Sequence, residues 1–326
     1  MFRTPEFWYQ KRGAAALALT PLSLLYHLGH SLHQATGKPR KAPMPVICVG
    51  NITAGGSGKT PTALALMDLI KAHKLGLKPH FLTRGYGGTE SGPAQIDPRK
   101  HDSRHVGDES LLLARAAPAI ISRDRYSGAL LAAEKGADMI LMDDGLQNTD
   151  LIKDFSFIVI DGQTGFGNGL MLPAGPLRQP LPDGIRKAGA FIIIGQDRHN
   201  IAAALPAGAP LLHAQITVDP ASTPEKDIPY IGFAGLGHPQ KFKTTLEGLG
   251  LDLRGYHAFP DHHPYTVQDL QPLWHEAQNA GAQLITTEKD FERLPETFKP
   301  YVQTLPVTLK FEDPNAAVAL LSGVLK

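Results

Sequence analysis

The chain has a single cysteine in 326 residues, so no internal disulfide can hold it together and it suits a reducing compartment. It also lacks a charge excess of either sign, because 32 Lys and Arg face 31 Asp and Glu for a net charge of +1. That balance argues against a nucleic-acid partner, whose footprint is a basic surplus. No apolar run is long enough for a spanning helix, which needs about 20 residues. The best candidate, GAAALALTPLSLLYHL at 13–28, is shorter and is interrupted by Pro21. It has no small-residue cleavage site of the secretory kind either. Internal repeats and low-complexity tracts are absent.

What is present is size and alternation. With 42% hydrophobic and 19% charged residues, the chain can bury a large core and fill two domains. Apolar strand candidates at 78–83, 138–142, 155–160, 190–194 and 211–216 alternate with helix candidates at 61–74 and 108–117. Continuous apolar strands between helices predict an α/β fold whose parallel sheet is covered by helices on both faces. The stretches 85–107 and 162–189 are long Gly/Pro-rich loops of the kind that carry function. A polar, proline-rich segment at 219–229 reads as a linker, after which strand–helix alternation resumes. The predicted organisation is an N-terminal helical segment (1–42), a core domain (43–218) and a smaller α/β domain (219–326).

Residues 46–62, VICVGNITAGGSGKTPT, carry the strongest chemical signal. A short strand leads into a glycine-rich loop and then a helix, which is the arrangement of a phosphate-binding P-loop. Thr53, Ala54, Gly55, Gly56, Ser57, Gly58, Lys59 and Thr60 form the loop, with Thr53 where the pattern usually has Gly. Gly55, Gly56 and Gly58 let backbone N–H groups turn inward, Lys59 reaches the β/γ-phosphates, and the Thr60 hydroxyl can ligate Mg²⁺. Cys48, in the strand, reads as a core residue.

Downstream, the apolar run ADMILMDDGLQN ends in Asp143 and Asp144, which puts carboxylates at the sheet edge where a nucleotide-bound Mg²⁺ is held. Spacing does not say which of the two touches the metal. Asp108 and Glu109 in RHVGDES open a helical stretch, either as N-terminal helix charge or as a base facing the transferred phosphoryl group. The loop FPDHHPYT holds His262 and His263, which could bind metal, orient a carboxylate or form a solvated turn. Arg84, Tyr86 and Arg178 lie on Gly/Pro loops, where forked arginine donors suit phosphate recognition. TTEKD (286–290) either lines the nucleotide or caps a helix.

The first 41 residues hold six Lys/Arg against one acid, Glu6, together with the aromatic run Phe7, Trp8, Tyr9. An apolar helix with basic flanks suits the plane of an anionic membrane surface. The other possibility is an amphipathic helix packed on the protein itself.

Taken in order, GN-x-T-x-GGSGKTP, TRGYGG, HVGDE, DDGLQ, LPAGPLR, DHHPYT and TTEKD closely resemble the lipid A tetraacyldisaccharide 4'-kinase family, from the N-terminal helix to about residue 290. The resemblance implies ATP-dependent phosphorylation of the 4'-hydroxyl of an acylated glucosamine disaccharide 1-phosphate, with ATP and Mg²⁺. It further implies work at the cytoplasmic face of the bacterial inner membrane by a peripheral or shallowly anchored protein. It makes Asp108 the base, assisted by His262, with Lys59 and Thr60 on triphosphate and Mg²⁺. Asp143 and Asp144 become the metal and catalytic network, and Arg178 and Tyr86 the substrate contacts. An acid often follows the family's arginine; here Gln179 does, which argues against a metal role for that position. A P-loop switch or partitioning ATPase would leave HVGDE and DHHPYT without a task, and a soluble metabolite kinase would leave the N-terminal helix unexplained.

Overall fold

The computed structural model describes residues 4–74, 78–218 and 222–325. A short 3₁₀ turn, Glu6–Tyr9, precedes helix α1 (Ala14–Thr36). Next come β1 (Val46–Gly50), α2 (Lys59–Ala72), β2 (Pro79–Thr83), β3 (Ala94–Gln95), α3 (Ser103–Val106) and α4 (Asp108–Ala116). They are followed by β4 (Ala119–Ile121), α5 (Arg125–Glu134), β5 (Met139–Asp143), β6 (Phe155–Asp161), α6 (Leu181–Arg186) and β7 (Ala190–Ile194). Helix α7 (Ile201–Ala204) and β8 (Leu211–Val218) follow. After the expected linker, whose residues 219–221 lie outside the described ones, come β9 (Pro229–Ala234), α8 (Pro239–Gly248), β10 (Asp252–Ala258) and α9 (Val267–Ala280). The chain then forms β11 (Gln283–Thr287), α10 (Glu288–Phe291), β12 (Val302–Leu305), β13 (Val307–Phe311) and α11 (Pro314–Val324).

A nine-stranded sheet runs in the order β13-β8-β7-β6-β1-β5-β2-β4-β3, parallel except for its two edge strands β13 and β3. Strands β1, β2, β5 and β7 are buried throughout, as their continuous apolar sequence requires. Side chains alternate between faces. Ile47 and Val49 join the cluster with Leu66 and Met67 of α2, while Val46 and Cys48 pack with Ala129 and Ala132 of α5. Burial pushes the Cys48 thiol up to about 11, so it is an inert core residue. Strand β1 stands at the centre. The chain builds β2, β4 and β5 on one side of it and β6, β7 and β8 on the other. That reversal opens a crevice at the C-terminal end of β1, where ligands of such sheets gather.

A second, four-stranded parallel sheet runs β10-β9-β11-β12, flanked by α8 and α9. The division at 219–326 needs one amendment. Strand β13 pairs antiparallel with β8, and Leu309, Phe311, Ala317 and Leu321 enter the core beneath α2. The end of the chain therefore completes the larger sheet. An alternating strand such as β13 fits the edge of either sheet, and local sequence does not say which.

Helix α1 continues through Pro21 to Thr36, well past the apolar run. Leu17, Leu22, Leu24, Leu25, Leu28 and Leu32 are each more than half exposed. Its other face is pinned to loops of the large sheet. Ser23 Oγ donates to Met171 O (2.8 Å) and accepts from Ala174 N (3.0 Å), and Tyr26 donates to Arg178 O (3.1 Å). Among the described residues, no helix is long and apolar enough to cross a membrane.

Candidate active site

The loop between β1 and α2 is held open by its neighbours. Asn51 Nδ2 donates to Ser57 Oγ (2.7 Å) across the base of the loop. Gly58 has φ of +86°, and a Cβ there would lie 2.5 Å from Ile194 Cδ1, so only glycine fits. Thr53 bridges to Leu177, and Ala54 N donates to Pro176 O (2.7 Å). The start of the loop is thus tied to the 170–178 segment, and the Ala54 N–H is used there instead of facing a ligand. Among the described residues, the N–H groups of Gly56, Gly58, Lys59 and Thr60 have no acceptor and begin a helix, a ready anion cradle.

Beside the cradle, Thr60 donates its hydroxyl to Asp143 Oδ2 (3.0 Å) at the end of β5. Asp143 Oδ1 is buried without a hydrogen-bond partner. Burial, then the nearby Glu109 and Asp144 charges, holds this carboxyl well above the usual carboxylate range. A buried, unpartnered oxygen next to a threonine hydroxyl suits a hard cation. Among the described residues no cluster of three His, Cys, Asp or Glu is set to hold a metal. Mg²⁺ needs none, because it is usually held by one or two carboxylates plus substrate phosphates.

Asp144 plays a different part from its neighbour. It sits at φ of +51°, a left-handed conformation that costs a non-glycine residue about 1–3 kcal/mol. Arg178 Nη1 grips both its oxygens (2.8 and 3.0 Å), and Lys59 Nζ lies 3.7 Å away. Burial works against the charge, but Lys59 and Arg178 outweigh it and hold Asp144 below its ordinary value. Lys59, Asp144 and Arg178 thus meet, while Thr60 faces Asp143. Gln179 does not join them. It is fully buried, its Oε1 3.5 Å from Lys187 Nζ.

Asp108 opens α4 and is 2% exposed. The preceding Gly107, at φ of +84°, lets the chain pass so close to Tyr86 O that a Cβ would meet it at 2.3 Å. His262 Nδ1 stands 3.2 Å from Asp108 Oδ2. Arg293 Nε is 3.2 Å from the same oxygen, within ion-pair distance but not aligned as a hydrogen bond. Burial alone would raise this carboxyl; the His262 hydrogen bond and the charges of Lys289, His262 and Arg293 reverse that and bring it down to about 2. It is therefore a carboxylate at any working pH. His262 is itself at φ of +54°, with its ring edge-on to Tyr86 at 5.4 Å between centroids. His263 turns away to Asp269 (3.2 Å) and packs on Phe259 and Tyr265, so the DHH motif delivers only its first histidine to Asp108.

The larger sheet's loops thus offer an anion cradle beside two unlike carboxylates, and the smaller sheet delivers a histidine to a third. The family model described as tetraacyldisaccharide-1-P 4'-kinase matches residues 15–326. The chain belongs to that family. It is 45% identical to the tetraacyldisaccharide 4'-kinase of Rhodospirillum rubrum over 99% of this chain and 98% of that protein. The same enzyme of Paramagnetospirillum magneticum is also 45% identical, with the same shares covered. Among solved structures, LpxK from Aquifex aeolicus in complex with ATP superposes with a TM-score of 0.75 at 28% identity, covering 95% of this chain and 99% of that one.

Some of this kinase family member's site was not singled out in the sequence. Arg293 reaches Asp108 from one turn beyond TTEKD, where Asp290 anchors it. Asp290 is itself fully buried and accepts from Gly235 N, Tyr265 and Thr287. Arg115 of α4 makes a two-pronged ion pair with Glu292 (2.7 and 2.9 Å), fastening the two sheets' layers together. Arg125, at the start of α5, is buried with Ser122 O as acceptor. Burial and the nearby Arg84 push its pKa down to about 10. The signal for Arg293 was its i+4 spacing from Lys289.

Proposed function

We propose that this chain transfers the γ-phosphoryl group of ATP to the 4'-hydroxyl of a tetraacylated glucosamine disaccharide 1-phosphate, a step of lipid A synthesis. The observation that carries the reading is the buried, ionised Asp108, paired with His262 and next in sequence to Glu109, whose charge acts on Asp143 beside Thr60 of the phosphate loop, within a family of 4'-kinases. A sugar hydroxyl is a weak acid, and a placed base accepting its proton is worth about 10²–10⁴-fold. As the acceptor oxygen bonds to the γ-phosphorus, the bond from that phosphorus to the β,γ-bridging oxygen breaks and ADP leaves. Asp108 takes the hydroxyl proton.

Lys59 and the N–H groups at the start of α2 hold the β/γ-phosphates. Thr60 and Asp143 would hold Mg²⁺, which offsets the charge on the phosphate oxygens. Asp144, fixed by Lys59 and Arg178, orders the cationic side of the site, and Arg178 and Tyr86 face the substrate. The apolar face of α1 rests on the cytoplasmic surface of the inner membrane, where the acyl chains keep the substrate. Its inner face is tied by Ser23 and Tyr26 to the loop that carries Arg178, so the membrane-facing helix is joined directly to the substrate loop. Measuring ADP release with and without the lipid acceptor tests the reading. Release that depends on the acceptor supports a kinase, and equal release in its absence overturns it.

A further inference from the structure

Lys289, in the one-turn helix α10, reaches the far side of the Asp108–His262 pair. Its Nζ donates to Glu109 Oε1 (2.9 Å) and stands 3.3 Å from His262 Nε2. On the near side, His262 Nδ1 faces Asp108 Oδ2. The helix is set firmly. Thr287 caps it, accepting from Asp290 N, and the buried Asp290 accepts in turn from Thr287 Oγ1 at 2.6 Å. The charged and titratable groups around the ring are Asp108 and Glu109 of α4, Tyr86 of the loop after β2, Asp261 of its own loop (3.9 Å from Nε2), Lys289 and Arg293.

An ammonium has three donors and no acceptor. The nitrogen that meets it must present a lone pair, so a neutral imidazole there carries its proton on Nδ1, facing the carboxylate. The opposite tautomer would set two hydrogens face to face at Lys289 and two lone pairs face to face at Asp108. Resting on the kinase reading, we infer that Lys289 is a positioning residue that locks His262 as the Nδ1–H tautomer and so aims Asp108 at the acceptor hydroxyl. Glu109, next in sequence to the base, steers the lysine. Burial disfavours the ammonium, but Glu109 and Asp108 outweigh that and leave Lys289 above its ordinary value, so the lock stays charged at working pH.

Long-range proton–nitrogen spectra of the full chain with labelled histidine read the tautomer directly, the His262 signal being assigned by its loss in His262→Gln. The wild-type ring should show a protonated Nδ1 and an unprotonated Nε2. Lys289→Met should mix the tautomers and lower kcat by about 10²-fold, the scale of a small misplacement, with KM for ATP unchanged. Its acid limb should also move to higher pH, because a positive charge facing Asp108 is gone. Lys289→Arg should restore the wild-type spectrum and most of the rate. A wild-type ring protonated on Nε2 overturns the inference without any variant. So does a Lys289→Met chain with unchanged tautomer and pH profile. The spectra need no lipid, so a failed transfer assay alongside a locked tautomer would count against the kinase reading and leave the lock standing.

Discussion

Asp108→Asn separates the charge of this side chain from its shape. The amide oxygen can still accept from Glu109 N, but the NH₂ in place of Oδ2 cannot accept from His262, and Lys289 and Arg293 keep Glu109 and Asp290 as anionic partners. In the folded chain the carboxyl is brought from 3.8 to about 2. At about 1.4 kcal/mol per pH unit, that shift is worth about 2 kcal/mol of stability in the ionised form. A lowered folded-state pKa stabilises above the unfolded value and is lost as pH falls through the folded one. Urea unfolding should therefore show the variant about 2 kcal/mol less stable at neutral pH, with the gap closing between about pH 4 and pH 2. Turnover should fall by about 10²–10⁴-fold while ATP binding, measured by calorimetry, stays at the wild-type value. A variant with wild-type turnover would refute the base assignment, and a stability gap independent of pH would refute the electrostatic account.

Lys59→Met should weaken ATP binding and slow transfer together, each by about 10-fold or more, since the lysine meets the phosphates before and during the reaction; an effect on KM for the lipid alone would contradict this. Gly58→Ala forces a side chain to φ of +86° and against Ile194. It should cost about 1–3 kcal/mol in thermal unfolding and reduce ATP affinity, and a neutral result would show that the loop has another resting shape. Leu24→Asp with Leu28→Asp removes two exposed leucines of α1, each worth about 1.5–3 kcal/mol when buried. Recovery with anionic vesicles should drop sharply while activity on a water-soluble acceptor persists; unchanged recovery would end the membrane-surface reading.

Much of the fold could be read before the structure because parallel strands buried on both faces are continuous apolar runs. That is why β2, β5, β6 and β7 stand where alternation placed them; β8 stands there too, though it is only partly buried. The three-residue β4 is too short to carry a period, and β13 gave no sign of which sheet it would join. In the site, the phosphate loop was legible because its chemistry is local: glycines, a lysine and a threonine adjacent in sequence. Around Asp108 only His262 was reached, and only through the resemblance; Lys289 and Arg293 were not linked to it, because all three arrive from the second sheet, 154 residues or more away. Asp143 and Asp144 looked alike in sequence. They part only because a left-handed turn at Asp144 swings one carboxylate to Arg178 and leaves the other buried with Thr60.

The central claim, phosphoryl transfer to a lipid sugar with Asp108 as base, is tested most directly by following the γ-phosphate itself. ATP labelled on that group is incubated with tetraacylated disaccharide 1-phosphate, and the position of the new phosphate is mapped on the recovered lipid. The account predicts one labelled phosphate on the 4'-oxygen per ADP formed, and almost none with Asp108→Asn. ADP formed without labelled lipid would contradict it and point to an ATPase that switches or partitions instead.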